Sequence, residues 1–208
     1  MRQVGLGLRA RKGGAVVVGL DLEDGRPRVL ISTLLATGAD GDRLSLEPYR
    51  LAAEMARDRS GAASVAAAAA VAEGRRRQNE LAVAGLQRVL QQLDEAGFNP
   101  VVAALLVNRA GWVTDLLAYS SAWPEHVPVA EGLAVRAALR FAIQECRLET
   151  AELDEKSVFD RAENVLGLSS TQIDARLKDL GSTAGTPWRK EQKLACVAAW
   201  IAITASTS

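Results

Sequence analysis

One glutamate on an otherwise apolar helical stripe is the first residue whose setting could support chemistry. Glu131 recurs with Val135, Ala138 and Ala142 at helical spacing, so the four share one face. A half-buried carboxylate there needs a partner, and Arg9 or Lys193 could supply it. A structural ion pair is the preferred reading, with a catalytic acid as the alternative. Basic residues form two groups. Arg2, Arg9, Arg11 and Lys12 fall in an opening stretch, residues 1–20, that holds no acid, and Arg189, Lys190 and Lys193 surround Glu191 near the end. Brought together, they would make a phosphate or carboxylate pocket assisted by a helix N-terminus. Kept apart, they are solvated turns. Arg75, Arg76 and Arg77 lie beside Glu73 and Glu80 and read as a solvated helix face.

Other chemistries are excluded by what is missing. His126 is the only histidine, which removes histidine metal clusters and a Ser-His-Asp arrangement. Beside Pro124 and Pro128 it reads as a capping or surface residue. Gly5-Leu6-Gly7 lacks the third glycine and following helix of a dinucleotide fingerprint, and no Walker A run occurs. Cys146 and Cys196 fall in apolar helical stretches and read as core thiols in a reducing compartment. Trp112, Trp123, Trp188 and Trp200 are spread apart and read as packing anchors. Lys plus Arg equals Asp plus Glu at 25 each, which argues against polyanion binding through bulk charge. Asp21 reads as the edge of a turn spanning 21–25.

The elements that must position these residues follow from periodicity and turn chemistry. A length of 208 residues, 49% of them hydrophobic, suits a single domain over 1–208 with a sizeable core. Residues 4–8, 15–22 and 28–36 predict three strands, joined by Lys12-Gly13-Gly14 and by Asp24-Gly25-Arg26-Pro27. Such short connections make them antiparallel neighbours. After a polar loop over 37–46, the span 47–96 is helical, with Gly61 and Gly74 as places to bend. The apolar run 101–107 predicts a buried, parallel-type strand, ending at Asn108. Helices are expected over 111–121, 127–146, 154–166, 169–180 and 188–204, with a fifth strand over 148–153. Ser169 with Gln172 has capping-box spacing, and Gly181 suits a C-cap. On helix 127–146, Ala130, Leu133, Ala134, Ala137 and Phe141 form a second apolar stripe. The N-terminus carries no signal-peptide pattern, and the apolar stretch 62–72 is too short and alanine-rich to span a membrane, so a cytoplasmic protein is expected.

This order, three meander strands and then strands joined by helical crossovers, resembles the ribonuclease H-like superfamily, in particular its RuvC Holliday-junction resolvase branch. That branch carries a G-I-D-P-G type segment in its first strand, where this chain has Gly5-Leu6-Gly7-Leu8-Arg9. Its fourth strand ends in glutamate, and here the strand ends in Asn108. Its last helix opens D-x-x-D-A-L-A, and here the text is Lys190-Glu191-Gln192-Lys193-Leu194-Ala195. A likeness to bacterial proteins of unassigned function rests on Gly7-Leu8-Arg9-Ala10 and on the run from Trp188 to Ala195.

The resemblance implies an α/β ribonuclease H-like fold, a five-stranded mixed sheet in the order 3-2-1-4-5 flanked by helices. It also implies the superfamily's nuclease site, in which carboxylates from the first strand, fourth strand and last helix hold two divalent ions about 4 Å apart. Only Glu191 survives of those acids. The expectation is therefore a catalytically degenerate domain that binds an anionic ligand, nucleic acid or protein partner. Its candidate pocket comprises Arg9, Lys12, Asn108, Arg109, Glu131, Arg189, Glu191 and Lys193, with no metal and no cofactor. The alternative is an enzyme of altered chemistry, a nuclease or phosphoryl-transfer enzyme, in that pocket. Excess Ala and Leu over 62–96 adds the expectation of a homodimer.

Overall fold

The computed structural model describes residues 2–55, 63–108 and 112–206. Strands β1 (Arg2–Arg11), β2 (Gly14–Glu23) and β3 (Arg26–Ala36) come first. Gly13 and Gly25, with φ of 71° and 74°, turn the two hairpins through the left-handed region that glycine enters without strain. The pairs β1–β2 and β2–β3 are consequently antiparallel. β4 (Phe98–Val107) and β5 (Glu149–Asp154) arrive by helical crossovers; β4 lies parallel to β1, and β5 parallel to β4. The sheet runs β3-β2-β1-β4-β5, the order expected from the sequence.

The helices are α1 (Arg43–Leu46), α2 (Pro48–Glu54), α3 (Val65–Glu95), α4 (Leu116–Ala122), α5 (Val127–Glu145), α6 (Val158–Leu166), α7 (Ser170–Ala184) and α8 (Lys190–Ser206), with a 3-10 turn at Pro124–His126. Alternation along the strands sends one set of side chains to each face. Val4, Leu6, Leu8 and Leu105 pack against α3 and α5, while Val16, Val18 and Leu106 pack against α6, α7 and α8. Ser169 and Gln172 form the expected capping box.

Several expectations change. The helix over 47–96 is interrupted: α2 ends at Glu54, and α3 starts at Val65 under the Ser64 side chain, which accepts from Ala67 N–H. Gly74 does not bend α3; a Cβ there would lie 2.3 Å from the Leu44 carbonyl oxygen, so glycine allows α1 to cross closely. Gly61 and Gly111 fall outside the described residues. Gly181 is no cap, because α7 continues to Ala184 and the Trp188 ring lies over Gly181 instead. Nor does a helix start at residue 154, since β5 runs through Asp154. Trp188 and Trp200 pack as anchors, but Trp112 and Trp123 are 69% and 61% exposed. Phe141 is 39% exposed, so the second stripe of α5 is not fully buried. Among the described residues, no helix is long and apolar enough to cross a membrane.

Candidate functional site

Alternate residues of β1 face α8. Two strand residues advance about 6.6 Å and four helix residues about 6 Å, so the two elements stay in step. Gly5 abuts Ala199 and Ile203, and Gly7 abuts Ala195. One step further along, Arg9 meets Glu191, and Arg9 Nη1 donates to Glu191 Oε1 at 2.7 Å. Its Nε and Nη2 donate to Glu155 Oε1 at 3.1 and 2.9 Å. Glu155 stands just beyond β5, where its N–H donates to the Val107 carbonyl at 2.9 Å and carries the β5 segment alongside the end of β4. One guanidinium thus sits between two carboxylates at the C-terminal edge of the parallel strands.

Asn108 ends β4 and lines a neighbouring cavity of about 580 Å³ together with Arg75, Arg136 and Arg140. Arg140 is paired with Glu152, and the Arg75 guanidinium lies against the Tyr49 hydroxyl. Arg136 on α5 has no ion-pair partner among the described residues. Its Nη1 donates to Gly132 O of its own helix at 3.2 Å, and its Nε is buried without a partner. Burial pulls its pKa below the ordinary arginine value; Glu155 opposes that, while Arg140 and Arg9 add to it.

Glu131 lies elsewhere, and its expected partners are wrong. Its Oε1 accepts from the backbone N–H groups of Tyr49 and Arg50 at 2.8 and 2.9 Å, at the start of α2. Arg9 and Lys193 do not reach it. Oε2 is buried without a partner. Burial raises the carboxyl pKa to about 7; the Arg50 and Tyr49 amides and Lys12 act to lower it, and Glu47 raises it further. Glu131 therefore shares a separate pocket of about 310 Å³ with Lys12, Glu47 and Arg50.

The remaining candidates disperse. Lys12 is exposed, its Nζ 4.0 Å from Glu47. Arg189 is exposed and Lys193 half-buried, and Arg109 lies outside the described residues. Asp21 belongs to no turn: it is a strand residue opposite Arg28, which it holds through two bonds of 3.1 and 2.8 Å, at the far end of β1 from Arg9. His126 stacks on Tyr119 at 4.0 Å, with Nδ1 2.9 Å from that residue's carbonyl oxygen. Burial raises both thiols, Cys196 to about 12, so neither is primed as a nucleophile.

The superfamily's metal pair can be tested against these donors. Hard divalent ions need several charged oxygen ligands. Among the described residues, no group of three or more His, Cys, Asp or Glu is placed to hold a metal. Glu155 and Glu191 converge on Arg9, and Asn108 is neutral. Two divalent ions do not fit this set.

No protein-family model matches the chain, and no curated protein resembles it in sequence. Solved structures do resemble it. RuvC of Thermus thermophilus matches with a TM-score of 0.53 and 11% identity, over 100% of this chain and 96% of that one. The same protein in complex with a Holliday junction substrate gives 0.53 and 10%, over 99% and 95%. The fold is ribonuclease H-like. Within that class the fold is similar to that of RuvC, and the sheet order and flanking helices are those of the class.

Proposed function

We propose that this chain is a RuvC-like domain that has exchanged metal-dependent strand cleavage for binding of an anionic ligand, with nucleic acid as the ligand class. The observation that carries this reading is the seating of Arg9 between Glu155 and Glu191. A fixed internal cation takes the place a metal would need, and it repels a dication more strongly as the site loses water. The binding face is the C-terminal edge of β1 and β4, with Asn108 and Arg136 beside the Arg9 clamp. The solved complex of T. thermophilus RuvC with a Holliday junction substrate is the precedent for such a ligand on this fold. A cytoplasmic setting, consistent with two free cysteines, and a homodimer through the start of α3, where Val65 is 89% exposed, belong to the same proposal.

The test pairs cleavage with binding. Branched, duplex and RNA–DNA hybrid substrates are incubated with magnesium or manganese, and their binding is followed by fluorescence anisotropy. The expected outcome is salt-dependent binding with no cleavage. Cleavage by the wild type that disappears in Glu191→Gln would overturn the reading.

A further inference from the structure

The cavity beside the Arg9 clamp contains a guanidinium that has no ion-pair partner among the described residues. A guanidinium half-removed from water is costly without a counter-ion, and buried donors are nearly always satisfied. Arg136 breaks both rules: its Nε is buried and unpartnered, and its one internal bond is a 3.2 Å contact to Gly132 O. Arg9 and Arg140, the cations that act on Arg136, are each held by glutamates. The two acids that also line the cavity are engaged, Glu152 by Arg140 and Asp115 by the Ala118 N–H, so Arg136 is left as an unpaired cation among the described residues. Asn108 and Arg75 line the same space and offer further donors. Leu117 and Leu133 supply apolar wall, and about 580 Å³ lies within the range of small-molecule sites. The cavity at the opposite end of the sheet differs: its Arg28 and Glu23 are already paired.

We infer that this cavity binds a phosphoryl group carried on an apolar or aromatic body, that is, a nucleotide unit, with Arg136 as the principal phosphate ligand. The inference rests on the binding reading above and gives it a place and a chemistry. A guanidinium offers paired donors that suit phosphate oxygens, and the apolar wall beside it suits the face of a base. A free nucleotide and a nucleic-acid strand present the same chemistry, so the experiment separates them.

Titration calorimetry with the full chain uses inorganic phosphate, adenosine, adenosine monophosphate, and a short single strand with and without a 5′-phosphate. Adenosine monophosphate should bind more tightly than either adenosine or phosphate. Arg136→Gln should weaken it by about tenfold or more, as expected for loss of a charge-assisted bond, and Arg136→Lys should recover part of the loss. Preference for the phosphorylated strand assigns a strand end; equal binding of both strands assigns the internal backbone; binding of the mononucleotide alone assigns a free nucleotide. Thermal melting checks the fold of each variant. Because Arg136 has no ion-pair partner among the described residues, Arg136→Gln should melt no lower than the wild type without ligand. If it fails to fold, Arg140→Gln should weaken binding by several-fold through the lost neighbouring charge. The pocket assignment is overturned if no probe binds at millimolar concentration or if the arginine variants bind as the wild type does. Metal-dependent cleavage would overturn the function proposed above and leave the Arg136 result standing.

Discussion

Gly7 of β1 and Ala195 of α8 meet backbone to backbone: a Cβ on Gly7 would lie 1.8 Å from the Ala195 carbonyl oxygen. Neither backbone can give way without moving the central strand or the last helix. Gly7→Ala should therefore cost about 3 kcal/mol or more, at the top of the range for overpacking. Urea unfolding checks this, and an unchanged midpoint would refute the close approach. The same shift would separate Arg9 from Glu191.

Arg9→Gln leaves Glu155 and Glu191 facing each other, partly shielded from water. The expected loss is about 2–3 kcal/mol, less than for a fully buried pair because both acids keep some exposure. Arg9→Asp inverts the electrostatics by setting three carboxyl groups together. Millimolar manganese should raise the melting temperature of Arg9→Asp by several degrees and leave the wild type unmoved. Stabilisation of the wild type by manganese would contradict the clamp.

Glu131 predicts a pH dependence of known sign. Its folded pKa of about 7 exceeds the ordinary 4.5. Between those values the folded state holds a proton that the unfolded chain has released, so stability falls as pH rises through that window. Below 4.5 both states are protonated and the penalty vanishes. Glu131→Gln keeps the acceptor for Tyr49 and Arg50 N–H and should flatten the fall, by about 1 kcal/mol after discounting for partial exposure. Urea midpoints at pH 5 and 7.5 measure it; parallel profiles for variant and wild type would remove Glu131 as the cause.

Asp21 is 1% exposed at its side chain and gripped by Arg28. Asp21→Ala should cost about 1–2 kcal/mol, because Arg28 loses two charge-assisted bonds but keeps Glu23 at 3.5 Å and is 41% exposed. The double variant Asp21→Leu, Arg28→Met should recover much of that, since it removes both charges. A double variant as unstable as Asp21→Ala would show that packing sets the cost.

The sheet was legible in the sequence because its connections are short. Asp24-Gly25 and Gly13-Gly14 are hairpin signals, and the apolar run before Asn108, short and following a long helix, reads as a strand covered on both faces. The Arg9–Glu191 pairing is half legible: the sequence places both residues at the site but offers Arg9 as a partner for Glu131 or for a bound anion. Its other holder, Glu155, was hidden because Asp154-Glu155 looked like the start of a helix, whereas the strand persists and delivers Glu155 alongside Val107. Arg136 was passed over because an arginine on an amphipathic helix normally faces water. Only the cavity reveals that this one does not. Glu131 was recognised as half-buried, yet its partners are the amides of a short helix 82 residues away, which no inventory of side chains could supply.

The position of α8 also bears on synthesis. In chain order it follows every other described element, yet its residues from Leu194 to Ile203 cover Val16, Val18, Leu20 and Leu106 at the middle of the sheet. A chain made only from β1 through α7 has a sheet with the middle of one apolar face still bare, a surface prone to stick to other chains. Arg9 waits for a partner 182 residues downstream, so its bond to Glu191 closes only when α8 docks. The step that seals the sheet and the step that fixes the site are then one event. Released chains truncated before residue 190 should accordingly bind chaperones and resist refolding, and those reaching Ser206 should not.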